Sequence, residues 1–339
     1  MSRGLGRYIL IRASMIIPTI LILYTVVFIF LRILPGNPIL AVVGTKSISP
    51  EQLEHLMKMA GLDKPYHVQY FEYLWNILHG DFGVTLAFPM GKPVWDYLKQ
   101  RFPATLELTI WAFTISVLLG LLTGVLGATK KGTKVDTSMR LYSIIAYTLF
   151  IPWFGMMLQY IFGVKLHLLP TSGRLDPGVH LQTITGLYVL DSILTGNWDA
   201  LVSAVRHLIL PAFTLGIVLS GAYTRLVRNN MVDVLSQDFI RAYHARGVPP
   251  RKVTWYALKN AFIPVVTLMG LQFAILLGGA VLTETTFSWP GMGTFIVDRI
   301  DYRDYNAIQG AVIFFAFFVG LISLIVDVIY AILDPRVKY

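Results

Sequence analysis

Cysteine is absent from the 339 residues, so the chain has no disulfide, no thiol nucleophile and no cysteine metal ligand, and its redox compartment leaves no mark on it. Charge is scarce too: 14% of residues are charged and 55% hydrophobic, where soluble domains carry about a quarter charged residues. That balance excludes a soluble domain. The phosphate-cradling GxxxxGK[ST] loop is missing, because the nearest candidate, Gly91-Lys92-Pro93, has Leu86 where the first glycine belongs. None of the seven histidines forms HExxH, and no GxSxG elbow occurs. Asp81-Phe82-Gly83 has the letters of a kinase metal-binding triplet but no glycine-rich nucleotide loop or His-Arg-Asp beside it, and reads as a turn. Nucleotide hydrolysis, zinc proteolysis and serine-hydrolase chemistry therefore have no residues to work with.

What the chain does have is long apolar runs, at 9–34, 106–128, 141–164, 208–223, 262–283 and 308–332. Each reaches or approaches the ~20 residues that span a bilayer. The pattern predicts an all-α membrane protein of six transmembrane helices with an insert between the first and second. Six spans put both termini on one side. On that side the N-terminus, the 129–140 turn, the 225–261 loop and the C-terminal tail hold 16 Lys/Arg and four acids, whereas the other connections hold 12 Lys/Arg and 13 acids. By the positive-inside rule the basic face, with both termini, is cytoplasmic, and a multi-pass membrane protein is expected. The net charge of +9 thus reports topology and contact with lipid. Nucleic-acid binding is not expected, since no folded soluble surface gathers the basic residues.

In order, the chain divides into a cytoplasmic tip with the first span (1–34), an extracytoplasmic insert (35–102) and a five-helix core (103–339). Arg3, Arg7 and Arg12 precede the 19 residues Ala13–Leu31, an apolar stretch too long for a signal peptide and followed by Leu34-Pro35-Gly36-Asn37-Pro38 instead of a small-x-small cleavage site. Helical spacing in the insert predicts helices over 49–59 and 66–78, with a turn at 80–83. This insert serves either as a docking surface for an external protein or as a lid over the spans. Gly120 and Gly124 form a GxxxG that lets two helices approach closely. Pro152 and Pro211 are expected to kink the third and fourth spans. Of the polar groups inside spans, Glu107 and Asp327 lie near span ends, where snorkelling or helix pairing accounts for them. Neutral Gln159, Thr214, Ser220 and Gln272 are the candidates for lining a pathway, because a passage that must release its cargo should not bind it tightly. No metal site is expected.

The segment 225–264 stands apart. It interrupts two apolar runs with seven Lys/Arg and two Asp, too polar to lie in hydrocarbon. From a cap at Ser236 or Asp238, residues Phe239, Ile240, Ala242, Tyr243 and Ala245 recur at helical spacing, and Gly247 follows where a helix end favours a left-handed residue. Val248-Pro249-Pro250 forbids continuation, and a second helix can start with Pro250 in its first turn and run to Pro264.

FIRAYHARGVPPRKVTWYALKNAFIPVV resembles the "EAA" coupling loop of ABC-transporter permeases, in the dipeptide/oligopeptide/nickel importer branch. Arg241-Ala242-Tyr243 occupy the place of Glu-Ala-Ala, with Gly247 four residues after Tyr243. The first and third positions depart from the general signature, and Pro264 falls four residues later than the commonest spacing, as in the peptide branch. GRYILIRASMIIPTI, the LPGNP turn, GLDKPYHVQYFEYLWNILHGDFG, LPTSG at 169–173, ETTFSWPGMGTFIVDRIDYRDYNAIQG and the terminal DVIYAILDPRVKY are similar to the B-type, or first, permease of these importers. The likeness covers essentially the whole chain.

The resemblance implies a type I ABC importer permease fold and a subunit that is not itself an enzyme, in a prokaryotic inner or plasma membrane. It forms half of a translocation pathway beside a second homologous permease, with two ABC ATPases and an extracytoplasmic solute-binding protein. No cofactor is bound by this chain; ATP and Mg sit on the ATPases. Residues Arg241, Ala242, Tyr243, His244, Ala245, Arg246 and Gly247 would meet the ATPase. Di- or oligopeptides are the implied cargo, with oligosaccharides or nickel as the alternatives within the branch. An ion channel would need a re-entrant filter, and a membrane enzyme paired acids or histidines at one depth; the spans show neither.

Overall fold

A computed structural model describes residues 2–33, 51, 54, 57–58, 61–87 and 90–333. The LPGNP turn, most of the 49–59 segment and the end of the C-terminal tail lie outside the described residues. Thirteen α-helices and one π-helix are named among those described. They are α1 (Ser2–Ile33), α2 (Tyr66–Leu78), α3 (Val94–Thr129), α4 (Lys134–Thr148), α5 (Ile151–Leu158), the π-helix (Gln159–Lys165) and α6 (Tyr188–Leu194). After these come α7 (Trp198–Leu235), α8 (Asp238–Ala245), α9 (Pro250–Ala261), α10 (Ile263–Gly279), α11 (Val281–Thr286), α12 (Met292–Asp301) and α13 (Tyr305–Leu333).

Among the described residues four helices are long and apolar enough to cross a membrane, and counting each of two bent pairs as one span brings the total to six by length and composition. The pairs are where the chain departs from straight spans. The third run breaks by 102° between α4 and α5. Leu149 and Phe150 are extended there, and Pro152 starts α5, so the missing amide and the proline ring stop the first helix and seed the second. The fifth run is entered from α9 with a bend of 56°, and Pro264 sits in the first turn of α10. Pro211, by contrast, lies inside α7 without interrupting it.

Two compact units emerge. One comprises Met1–Ile9, Leu106–Trp289 and Ile322–Tyr339. Its axis is the 38-residue α7, whose buried Tyr223, Val227, Met231 and Val234 anchor the main hydrophobic cluster. The GxxxG of α3 makes the contact its spacing predicts: a β-carbon at Gly120 would lie 2.2 Å from Cβ of Tyr223, and one at Gly124 would lie 2.7 Å from Cβ of Val227. Only glycine permits this approach. The hydroxyls of Thr123 and Thr224 share a 2.7 Å hydrogen bond across the same seam. At the next turn of the chain, Arg228 grips buried Asp136 with both ends of its fork at 2.8 Å, and Gly132 N donates to the same carboxylate. The fourth apolar run continues as helix through 225–235, with Arg228 neutralised by Asp136 within the unit.

The other unit comprises Leu10–Thr105 and Pro290–Leu321. The predicted 66–78 helix is present as α2, with Tyr70, Tyr73 and Leu74 packed on Tyr24 and Phe28 of α1. The 80–83 turn is closed by Asp81, whose side chain accepts from Gly83 N at 2.8 Å. Fully buried Asp304 caps α13 by accepting from Ala307 N at 3.2 Å and holds the 85–87 backbone through Thr85, Leu86 N and Ala87 N.

Candidate functional site

The basic segment folds as the continuation of α7, then α8, then α9. Helix α8 spans Asp238–Ala245, as the spacing predicts, but its N-cap is Gln237, without a side-chain cap bond. Ser236 instead turns back to Asp233 O at 2.7 Å and finishes α7, so the expected cap at Ser236 or Asp238 is replaced. At the other end Gly247 takes φ +72°. Gly247 N donates to His244 O and Val248 N to Tyr243 O, the paired bonds of a Schellman motif.

Helix α8 has two unlike faces. Ile240, 2% exposed, enters the cluster formed by Met231, Val234, Val253 and Ala257 of α7 and α9. Tyr243 packs beside it, its ring 5.3 Å from that of Tyr256 on α9. These two residues, three apart, bolt α8 to both neighbours. The opposite face, carrying Arg241, Ala242, His244, Ala245 and Arg246, is exposed. Among the described residues Arg241 pairs with Asp238 on its own helix, at 3.3 Å, and both side chains are largely open to solvent. Such a pair contributes little to stability. The surface thus has small residues flanked by cations, on a rigid mount.

The four pathway candidates are not brought together. Thr214 and Ser220 are completely buried on α7. The hydroxyl of Thr214 donates to Leu210 O at 2.8 Å, and that of Ser220 donates to Ile217 O and meets the Tyr142 hydroxyl, each at 2.6 Å. Their polar atoms are spent on packing. Gln159 opens the π-helix, and its Nε2 donates to Thr171 O at 2.7 Å and Thr286 O at 3.0 Å, stapling a loop to the end of α11. Gln272 on α10 is half-buried.

Glu107, read as a snorkelling or helix-pairing residue, has a different partner. It is buried and bonds Arg174, itself buried, from the connection that follows the π-helix. Its second oxygen accepts from Val189 N at 2.8 Å. Arg174 also donates to Gly186 O and lies 3.5 Å over the ring of Tyr188. Next to this pair, buried Asp191 accepts from the hydroxyl and amide of Thr185 and from the amides of Ile184 and Gly186. Burial alone would raise the Asp191 carboxyl; these four donors outweigh it and hold the group below the usual aspartate value. Nothing in the sequence singled out Arg174, one of three Lys/Arg between 165 and 206. Among the described residues no group of His, Cys, Asp or Glu is arranged to hold a metal.

Comparison with known proteins shows the family. Residues 116–339 match the family described as binding-protein-dependent transport system inner membrane component, and residues 5–109 match its N-terminal counterpart. The dipeptide transport system permease protein DppB of Escherichia coli K12 is 38% identical over 337 residues, covering 98% of this chain and 99% of its own. The di/tripeptide transport system permease protein DppB of Pseudomonas aeruginosa is 38% identical over 329 residues, 97% of each chain. The glutathione transport system permease protein GsiC of Salmonella paratyphi A is 38% identical over 339 residues, covering 98% and 99%. With both segments matched and full-length relatives at this identity, the chain belongs to the family of binding-protein-dependent transport system inner membrane components.

Proposed function

We propose that the chain is the B-type membrane subunit of an ATP-driven importer of di- or oligopeptides, and that α8 is where partner ATPases act on it. The supporting observation is the split character of α8. One face is locked into α7 and α9 by Ile240 and Tyr243, while Arg241, Ala242, His244, Ala245 and Arg246 are exposed among the described residues. A helix held so firmly on one side transmits displacement; one left bare on the other can enter a groove. Ala242 and Ala245 permit close approach, and Arg241 and Arg246 suit an acidic rim. Gly247 ends the helix cleanly, so that α9 leaves at its own angle. Motion of the groove during ATP binding moves α7 and α9 together. A differential contact of about 5.5 kcal/mol would carry a two-state gate from one extreme to the other.

In this reading ATP and Mg are bound by two partner ATPases, and no cofactor is bound by this chain. A second homologous permease completes the pathway, and an extracytoplasmic binding protein delivers cargo to the 35–102 insert. Both termini and the 225–261 segment are placed in the cytoplasm, because together with the 129–140 turn they hold 16 Lys/Arg against four acids. Peptide cargo follows from the names of the full-length relatives. The test is Ala242→Glu and Gly247→Pro in the whole transporter. Membrane insertion should persist while ATPase co-purification and peptide uptake are lost; normal uptake with intact assembly would refute the assignment of α8.

A further inference from the structure

Helix α2 lies in the unit formed by Leu10–Thr105 and Pro290–Leu321, and it has more apolar surface than the chain covers. Tyr70, Tyr73, Leu74 and Ile77 pack on Tyr24 and Phe28 of α1. Val68, Phe71, Trp75 and Leu78 recur three and four residues apart and form a second apolar stripe beside the first. Among the described residues this stripe is open: Phe71 is 67% exposed, Trp75 64% and Leu78 72%. The polar exposed residues His67 and His79 stand at the two ends of the helix. The remaining side of α2 is polar along its length. Gln69, Glu72 and Asn76 line a cavity of about 310 Å³. Glu72 pairs there with Lys64 at 2.7 Å. Arg32, at the end of α1, donates to Gln69 Oε1 at 3.2 Å and to Gln309 Oε1 at 2.9 Å.

What covers the open stripe follows from the depth at which α2 is held. The apolar stretch of α1 lies between Arg12 and Arg32. Tyr24 and Phe28 sit inside that stretch, ~12 Å and ~6 Å before Arg32 at about 1.5 Å per residue. Tyr70 of α2 rests on both, with ring centroids 4.9 Å and 5.2 Å away, and its carbonyl accepts from the Tyr24 hydroxyl at 2.6 Å. Ile313, well inside the span α13, belongs to the same cluster. Two spans therefore hold α2 at the level of the hydrocarbon instead of above it. Ile22, Val26 and Ile29 of α1 are exposed at that level too. The stripe is also of the wrong make for a second helix. Helix contacts within membranes favour Gly, Ala, Ser and Thr, as at Gly120 and Gly124, and the stripe has only large side chains. The backbone of α2 meets the demand of such a place, since Val68 N and Gln69 N both donate to Pro65 O and the helix satisfies the rest.

We infer that α2 is a lipid-embedded helix, with Val68, Phe71, Trp75 and Leu78 against the acyl chains of the leaflet on the Arg32 side and with Gln69, Glu72 and Asn76 turned to water. An amphipathic helix with an aromatic apolar face suits that position. The 66–78 part of the insert is then neither a docking surface nor a lid over the spans, and an external protein meets the insert elsewhere. This inference rests on α1 being a span and on nothing in the transport reading.

Because the chain has no cysteine, Phe71→Cys, Trp75→Cys, Glu72→Cys and Val26→Cys each accept a single nitroxide. Electron paramagnetic resonance then compares collisions with oxygen, which concentrates in lipid, and with a water-soluble nickel chelate. The full-length chain is measured in phosphatidylcholine vesicles, alone and assembled with its partner subunits in cysteine-free form. At 71 and 75 the oxygen-to-nickel ratio should exceed one several-fold, match that at 26 in the chain alone, and stay high on assembly. At 72 the ratio should fall below one. Phe71 and Trp75 are both exposed, so their labelled forms should keep the Tm of the unlabelled chain, and either position answers the question without the other. A nickel excess at 71 and 75 with lipid exposure at 26 would overturn the inference and leave the spans and the transport reading standing. Shielding of 71 and 75 from both reagents would show protein over the stripe and overturn it equally, from this chain if seen in the chain alone and from a partner if seen only on assembly. A nickel excess at 26 as well would remove the span on which the inference rests.

Discussion

Small residues occur on two surfaces of the α7 neighbourhood and do opposite things there. On the α3–α7 seam, Gly120 and Gly124 let two backbones touch, and any side chain would collide with Tyr223 or Val227. On α8, Ala242 and Ala245 are exposed. The seam consumes its small residues internally, so their value is measured in stability. The α8 face contributes almost nothing to the chain's own packing, so whatever value its small residues have must be measured with a partner. A related contrast divides the charges. Glu107 and Arg174 are buried against each other, whereas Arg241 and Asp238 pair in open solvent.

Substitutions break or sharpen this contrast in a definite order. The largest loss should come from Arg174→Ala, which strands Glu107 in the interior and should cost about 3–5 kcal/mol, seen as a lower Tm in detergent. Replacing both members with methionine should recover most of it. Gly120→Leu should follow, at about 1–3 kcal/mol for overpacking, read by the same melt and by weakened α3–α7 cross-linking. Gly247→Ala places a β-carbon on a left-handed residue whose surroundings are otherwise open. A cost of about 1–2 kcal/mol is expected, confined to α8 and visible as faster amide exchange at 245–248.

Acid should act more gently on the 184–187 loop. Because folding lowers the Asp191 carboxyl, its contribution is complete above the unfolded aspartate value of about 3.9 and disappears as pH falls through the folded value. Proteolysis of the loop by an acid-stable protease should rise below that range, and Asp191→Asn should remove the pH dependence. Smallest on stability is Ala242→Glu, within about 0.5 kcal/mol. If its melt is unchanged while ATPase association disappears, the two surfaces differ in kind; a large drop in Tm would show that α8 is part of the core after all.

Much of this was legible in the chain itself. Apolar run length announced the spans, and the GxxxG spacing identified a seam whose close contacts the structure shows. Gly247 and Pro250 marked the end of α8 and the start of α9 to the residue, because left-handed φ and a missing amide are local demands that need no tertiary context. Caps were harder: Ser236 can serve either the helix before it or the one after, and only the geometry at the α7 terminus decides which. Thr214 and Ser220 looked available for a pathway because polarity in a span says that a group needs a partner, not whether the partner is its own backbone. Hydroxyls bonded to carbonyls three or four residues back satisfy themselves without any opening.

By itself, then, the order of residues determined which segments leave water, which face is basic and where α8 ends, since hydropathy, charge and backbone preference act over a few residues at a time. Tertiary structure alone decided that Glu107 meets Arg174 from a loop 67 positions away, and that Arg32 rests on two neutral amides beside a cavity. Pairing of a buried charge depends on which distant backbone folds over it, and no local pattern encodes that distance.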